Sequence, residues 1–84
     1  MNNFVWLGGN TYVPYEEILL LTDYGEPQAK KMVKNARELE RLMDYSRGQS
    51  KETVAVMKTG FVIITPVELY EVLRTHNEHM REGK

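Results

Sequence analysis

The chain has 84 residues, 42% of them apolar, no cysteine and a formal net charge of −1. That length fits one domain with a core small enough to need support from self-association. The missing cysteines exclude a disulfide framework and any cysteine-based metal site, and one Trp, five Tyr and two Phe argue against disorder.

The charge is segregated. Residues 1–27 hold four acids (Glu16, Glu17, Asp23, Glu26) and no Lys or Arg, whereas residues 28–59 hold eight cations against four acids. No apolar run approaches the roughly 18 residues of a membrane span. Met1-Asn2-Asn3-Phe4 lacks the charged and hydrophobic regions of a signal peptide. The expectation is a soluble cytoplasmic protein with no membrane partner.

In chain order, Phe4-Val5-Trp6-Leu7 reads as a short apolar strand, Gly8-Gly9-Asn10 as a tight turn, and Thr11-Tyr12-Val13 as the hairpin partner stopped by Pro14. Ile18 to Thr22 (ILLLT) reads as a buried strand, with a helix as the competing reading because leucines favour it. Asp23 to Pro27 breaks the chain, and Pro27 suits the first turn of a helix. From Gln28 to about Met43 the pattern is helical. Ala29, Met32, Val33, Ala36, Leu39 and Met43 form an apolar face, with Lys30, Lys34, Arg37 and Arg41 opposite.

Asp44 to Lys51 is a polar loop. Thr53 to Met57 and Phe61 to Thr65 then form a hairpin across Lys58-Thr59-Gly60, where glycine suits a positive φ. The second of these strands is apolar at every position from Phe61 to Ile64. That pattern fits burial on both faces, or one face meeting another subunit. Thr65-Pro66-Val67-Glu68 has the form of a helix cap, followed by an apolar face at Leu69, Val72, Leu73 and His76. The order predicts a small single α+β domain over residues 1–84. It has a largely antiparallel sheet, one long central helix, a C-terminal helix and a polar tail at about 77–84, and is oligomeric.

Two places could meet an anionic partner. In the loop, Arg47, Gln49, Ser50 and Lys51 can all donate to phosphate, and Gly48 lets the backbone approach closely. The same composition also describes an ordinary solvated loop. The helix stripe of Lys30, Lys34, Arg37 and Arg41 is either a solvated face or, through the like-charged Arg37 and Arg41 four apart, a surface for an anion. His76 and His79 are three apart, but a closed metal site needs four ligands and no motif supplies the rest. With no phosphate loop before a helix, no nucleophile elbow and no cysteine, neither an enzyme nor a cofactor nor a small-molecule substrate is expected.

The order Phe4-Val5-Trp6-Leu7-Gly8-Gly9-Asn10, Val13-Pro14, an apolar strand, a helix, then Asp44, Gly48 and the hairpin to Pro66 resembles the RemA/RemB-like extracellular-matrix regulators of bacteria over about residues 3–75. The resemblance implies a cytoplasmic DNA-binding regulator of transcription that assembles into a homo-oligomeric ring. In the RemA branch of that family, arginines in the loop after the helix contact DNA. Gly48 and Lys51 correspond here, Arg47 stands one place before the glycine, and Gln49-Ser50 replaces an arginine pair. A further basic position before the apolar strand reads Glu17. The expected DNA-binding residues are therefore Arg47, Gly48 and Lys51, with Lys34, Arg37 and Arg41. The alternative is an oligomeric protein-interaction module that does not bind nucleic acid.

Overall fold

The computed structural model describes residues 3–82, with side chains as far as Asn77. Its elements are β1 (Phe4–Trp6), β2 (Tyr12–Pro14), a 3₁₀ turn (Tyr15–Glu17), β3 (Ile18–Asp23), α1 (Pro27–Glu38), β4 (Leu42–Asp44), β5 (Thr53–Met57), β6 (Val62–Thr65) and α2 (Leu69–Glu82). Strands β1 and β2 make a separate two-stranded hairpin. The main sheet has four strands in the order β3-β5-β6-β4.

The β5–β6 hairpin forms as its composition predicts. Val54 faces Ile64 and Val56 faces Val62, and Gly60 takes φ +98° in the turn. Every side chain of β6 is buried within the single chain. Because alternate residues of a strand point to opposite faces, its apolar run serves two cores. Val62 and Ile64 join Val54 beneath Ala29, Val33 and Ala36 of α1. Ile63 joins Ala55 and Met57 beneath Val5, Leu7 and Val13 of the β1–β2 hairpin and Val72 of α2. Each buried Val, Leu, Ile or Met among them contributes roughly 1.5–3 kcal/mol on burial, and each alanine less. Both faces of β6 are thus covered by its own chain, and no second subunit is needed there.

Four expectations change. First, α1 ends at Glu38 and does not reach Met43. The Arg41 amide donates to the Ala36 carbonyl at 2.7 Å and the Glu40 amide to the Arg37 carbonyl at 3.1 Å, with Glu40 at φ +56°. This is a Schellman stop, in which one left-handed residue turns the last carbonyls back onto the chain. Leu39 is therefore 68% exposed at the helix end and not on the buried face, and α1 (12 residues) is shorter than α2 (14 residues), so no single long helix dominates. Arg37 and Arg41 are not a helical pair either.

Second, the chain after this stop becomes β4, which pairs in parallel with β6. The sheet is mixed, with antiparallel β3–β5 and β5–β6 pairs and one parallel pair.

Third, β3 is a strand but an edge strand. Leu19 and Leu20 are 68% and 42% exposed, and only Ile18 and Leu21 pack on the hairpin-side core. A register shift between Ile18 and Leu20 turns Leu19 out of the alternation.

Fourth, α2 begins at Leu69. Thr65 is the last residue of β6, not a helix cap, and its hydroxyl donates to the Leu7 carbonyl while accepting the Val67 amide at 3.2 Å. On α2 Val72 is fully buried, Leu73 is exposed, and the His76 ring stacks on Tyr15 with centroids 4.9 Å apart. The side chains of Glu78, His79 and Glu82 lie outside the described residues. Among the described residues, no helix is long and apolar enough to cross a membrane.

Candidate nucleic-acid interface

The β4–β5 loop is built around Asp44. Its Oδ1 accepts the Ser46 backbone amide at 2.9 Å and the Ser46 hydroxyl at 2.6 Å. Such a carboxylate bonded two residues on is an Asx turn. It sends the buried Ser46 inward and leaves the following residues outside. The Ser46 carbonyl then accepts the Gln49 amide at 2.9 Å, closing a tight turn with Arg47 at φ +52° and Gly48 at φ +83°. Two consecutive left-handed residues explain Gly48. A side chain there would meet open space, so the glycine serves the backbone angle and not a close contact within the chain.

The charges in this loop differ in availability. Lys51 Nζ lies 3.7 Å from Asp44 Oδ2. The Ser46 hydroxyl and amide, aided by Lys51, hold the Asp44 carboxyl below its ordinary value. Arg47 is exposed and makes no ion pair among the described residues. The Ser50 hydroxyl donates to Glu52 at 2.5 Å, and the Glu52 amide joins the loop to Thr65 at 3.0 Å.

The loop faces the β1–β2 turn across an open groove of about 460 Å³. Trp6, Gly9 and Asn10 line one side, Tyr45, Arg47 and Gln49 the other. The indole N–H of Trp6 donates to the Gly9 carbonyl at 2.8 Å and stiffens that turn. At Gly8, φ is +113° and a β-carbon would come within 2.9 Å of Val67. Glycine is needed there for both the angle and the space.

The six candidate residues do not form one cluster. Arg47, Gly48 and Lys51 share the loop beyond the carboxyl ends of β4 and β6. Arg41 lies at the other end of these strands, where its carbonyl accepts the Val62 amide and its guanidinium donates to the Thr59 carbonyl at 3.3 Å. Strand β4 separates the two groups by roughly 10 Å at about 3.3 Å per residue. Lys34 and Arg37 are exposed along α1, which packs over β4 and β6. The sequence reading missed Asp44 as the organiser, although Asp44-Tyr45-Ser46 is a local Asx-turn signal. It also missed the β1–β2 turn as the opposing wall, which only the tertiary fold brings near.

No curated protein matches the chain. The model of a family of RemA-like proteins, described as extracellular matrix regulatory protein A-like, matches residues 4–74. That span takes in both hairpins, the main sheet, α1 and the Asp44-anchored loop, so the chain belongs to the RemA-like family.

Proposed function

We propose that this protein is a cytoplasmic, ring-forming, DNA-binding regulator of transcription acting on bacterial extracellular-matrix, or biofilm, genes. It contacts DNA phosphates through the β4–β5 loop, repeated once per subunit. The observation that carries the reading is Arg47 beside Gly48, an exposed cation lining the open groove on a turn pinned by Asp44 and Ser46. Membership of a family described as extracellular matrix regulatory supports the regulatory part. Lys51 joins the contact by exchanging Asp44 for phosphate, and Lys34 and Arg37 add weaker contacts along α1. Arg41, at the far end of the sheet, is left out of this patch.

One subunit offers few cations, so binding depends on repetition. Linked weak sites gain orders of magnitude through effective concentration. Affinity then falls steeply with salt, log K dropping by about 0.9 per phosphate neutralised for each decade of salt. The test is a mobility-shift titration on long duplex DNA across salt, beside a solution mass. Arg47→Glu with Lys51→Glu is expected to abolish the shift and leave the mass unchanged. A wild type that gives no shift even at ~50 mM salt ends the DNA reading. The second reading, an oligomeric protein-interaction module, is favoured by the Lys51–Asp44 pair, which occupies one of the two loop cations.

A further inference from the structure

The four-stranded sheet has two free edges of opposite character. Its order β3-β5-β6-β4 puts β3 on one side and β4 on the other. Both edges run in the same direction, because β4 is parallel to β6, and β3 and β6 are each antiparallel to β5. Each edge carries two exposed aliphatic side chains, Leu19 and Leu20 on β3, 68% and 42% exposed, and Leu39 just before β4 with Met43 in it, 68% and 37% exposed, while Phe4, Tyr12, Tyr15, Tyr70 and Leu73 are exposed away from both edges.

Charge divides between the two edges. Residues 15–26, around β3, hold four acids and no Lys or Arg, while residues 34–51, around β4, hold five cations (Lys34, Arg37, Arg41, Arg47, Lys51) against three acids. The levels match as well. Glu16 and Glu17 precede Ile18, which pairs with Met57 next to the β5–β6 turn. Arg41, on the other edge, donates to Thr59 in that same turn. At the other end Asp23 pairs with Thr53, and the Arg47–Lys51 loop lies beyond Asp44.

We propose that β3 of one copy docks against β4 and the end of α1 of a second copy, head to tail, with Glu16 and Glu17 facing the neighbour's Arg41 and Leu19 and Leu20 covering Leu39 and Met43. This builds on the ring reading above by naming its two faces and its polarity. Joining β3 to β3 would instead set four acids against four, a like-charge contact that works against pairing. Unpaired strand edges with exposed leucines are templates for another chain. A contact between two different patches leaves one of each unfilled on every added copy, so it grows until the rotation closes a ring. The right-handed twist from strand to strand supplies rotation at each step. Arg41 is thereby assigned to the subunit contact, which accounts for its distance from the DNA loop.

The test uses two full-length variants with substitutions at exposed positions. One carries Glu17→Lys and Leu19→Lys on the β3 face, the other Leu39→Glu and Arg41→Glu on the β4 face. Each alone is expected to fall from the wild-type oligomeric mass to that of one chain by light scattering, with its melting transition retained. Mixed, they are expected to associate again in equal numbers, because each keeps the face the other lacks. A β4-face variant that keeps the wild-type mass, or a mixture that stays monomeric, overturns the proposed faces and leaves the ring reading standing. A wild type with the mass of one chain overturns both.

Discussion

Two apolar strands of this small sheet meet opposite fates. Ile18-Leu19-Leu20-Leu21-Thr22 and Phe61-Val62-Ile63-Ile64-Thr65 are nearly equivalent as hydrophobic runs. Yet β6 has every side chain buried, while β3 keeps two leucines in solvent. The difference lies in what each strand is placed beside. β6 has β5 on one side, β4 on the other, α1 over one face and the β1–β2 hairpin with Val72 over the other. β3 has a single neighbouring strand, and α1 lies over β4 and β6 instead. Hydrophobicity selects a strand for the sheet. Its neighbours decide whether it is core or edge.

The contrast can be broken most sharply at Ile64. Ile64→Ala removes a fully buried side chain from the α1-side core and is expected to cost about 2–5 kcal/mol in denaturant unfolding. A loss under about 1 kcal/mol would show that this core collapses around the cavity.

A smaller effect is expected at Asp44, the last residue of the other edge strand, β4. Its folded-state pKa is lowered, chiefly by the Ser46 hydroxyl, so its stabilisation is present above the unfolded value and disappears as pH falls through the folded one. Solvent screening keeps the contribution to about 0.2–1 kcal/mol. The wild type should exceed Asp44→Asn in melting temperature by a constant margin above about pH 4, and that margin should shrink below it. A margin that widens on acidification would reverse the assignment.

The smallest effect belongs to β3. Leu19→Ala is expected to leave unfolding of the isolated chain within about 0.5 kcal/mol, as for a surface position. In a subunit kept monomeric, a loss comparable to that at Ile64 would mean that Leu19 packs within its own chain.

How far all this could be read in advance follows from where each signal sits. The β5–β6 hairpin and the Ala29, Val33, Ala36 face were legible because turn glycine and periodicity are local. The end of α1 was not. Glu38-Leu39-Glu40-Arg41-Leu42-Met43 is rich in helix formers, and the residue that stops the helix is a glutamate where a glycine would have announced the turn. Missing that stop hid β4, and with β4 the parallel edge. At the site, Arg47 and Gly48 were legible as a cation beside a flexible residue. The groove was not, because its far wall at Trp6 and Asn10 is about forty positions away in the chain.

The placement of β4 also bears on the order of events in folding. β3 and β4 are joined through α1, yet β5 and β6, made later in the chain, lie between them. Neither edge has a partner until the hairpin exists. The hairpin closes across three residues, whereas Asp23 meets Thr53 and Leu42 meets Val62 only across loops of 30 and 20 positions. Loop-closure entropy rises with that separation, so the hairpin should nucleate and the edges dock afterwards. In stopped-flow experiments Ile64→Ala should mainly slow refolding and Leu21→Ala mainly speed unfolding. The reverse partition would place an edge in the nucleus. On this order, a nascent chain released as far as β4 would still hold its acidic and basic edges apart, and the surfaces proposed to join copies would be completed only after the central pair is in place.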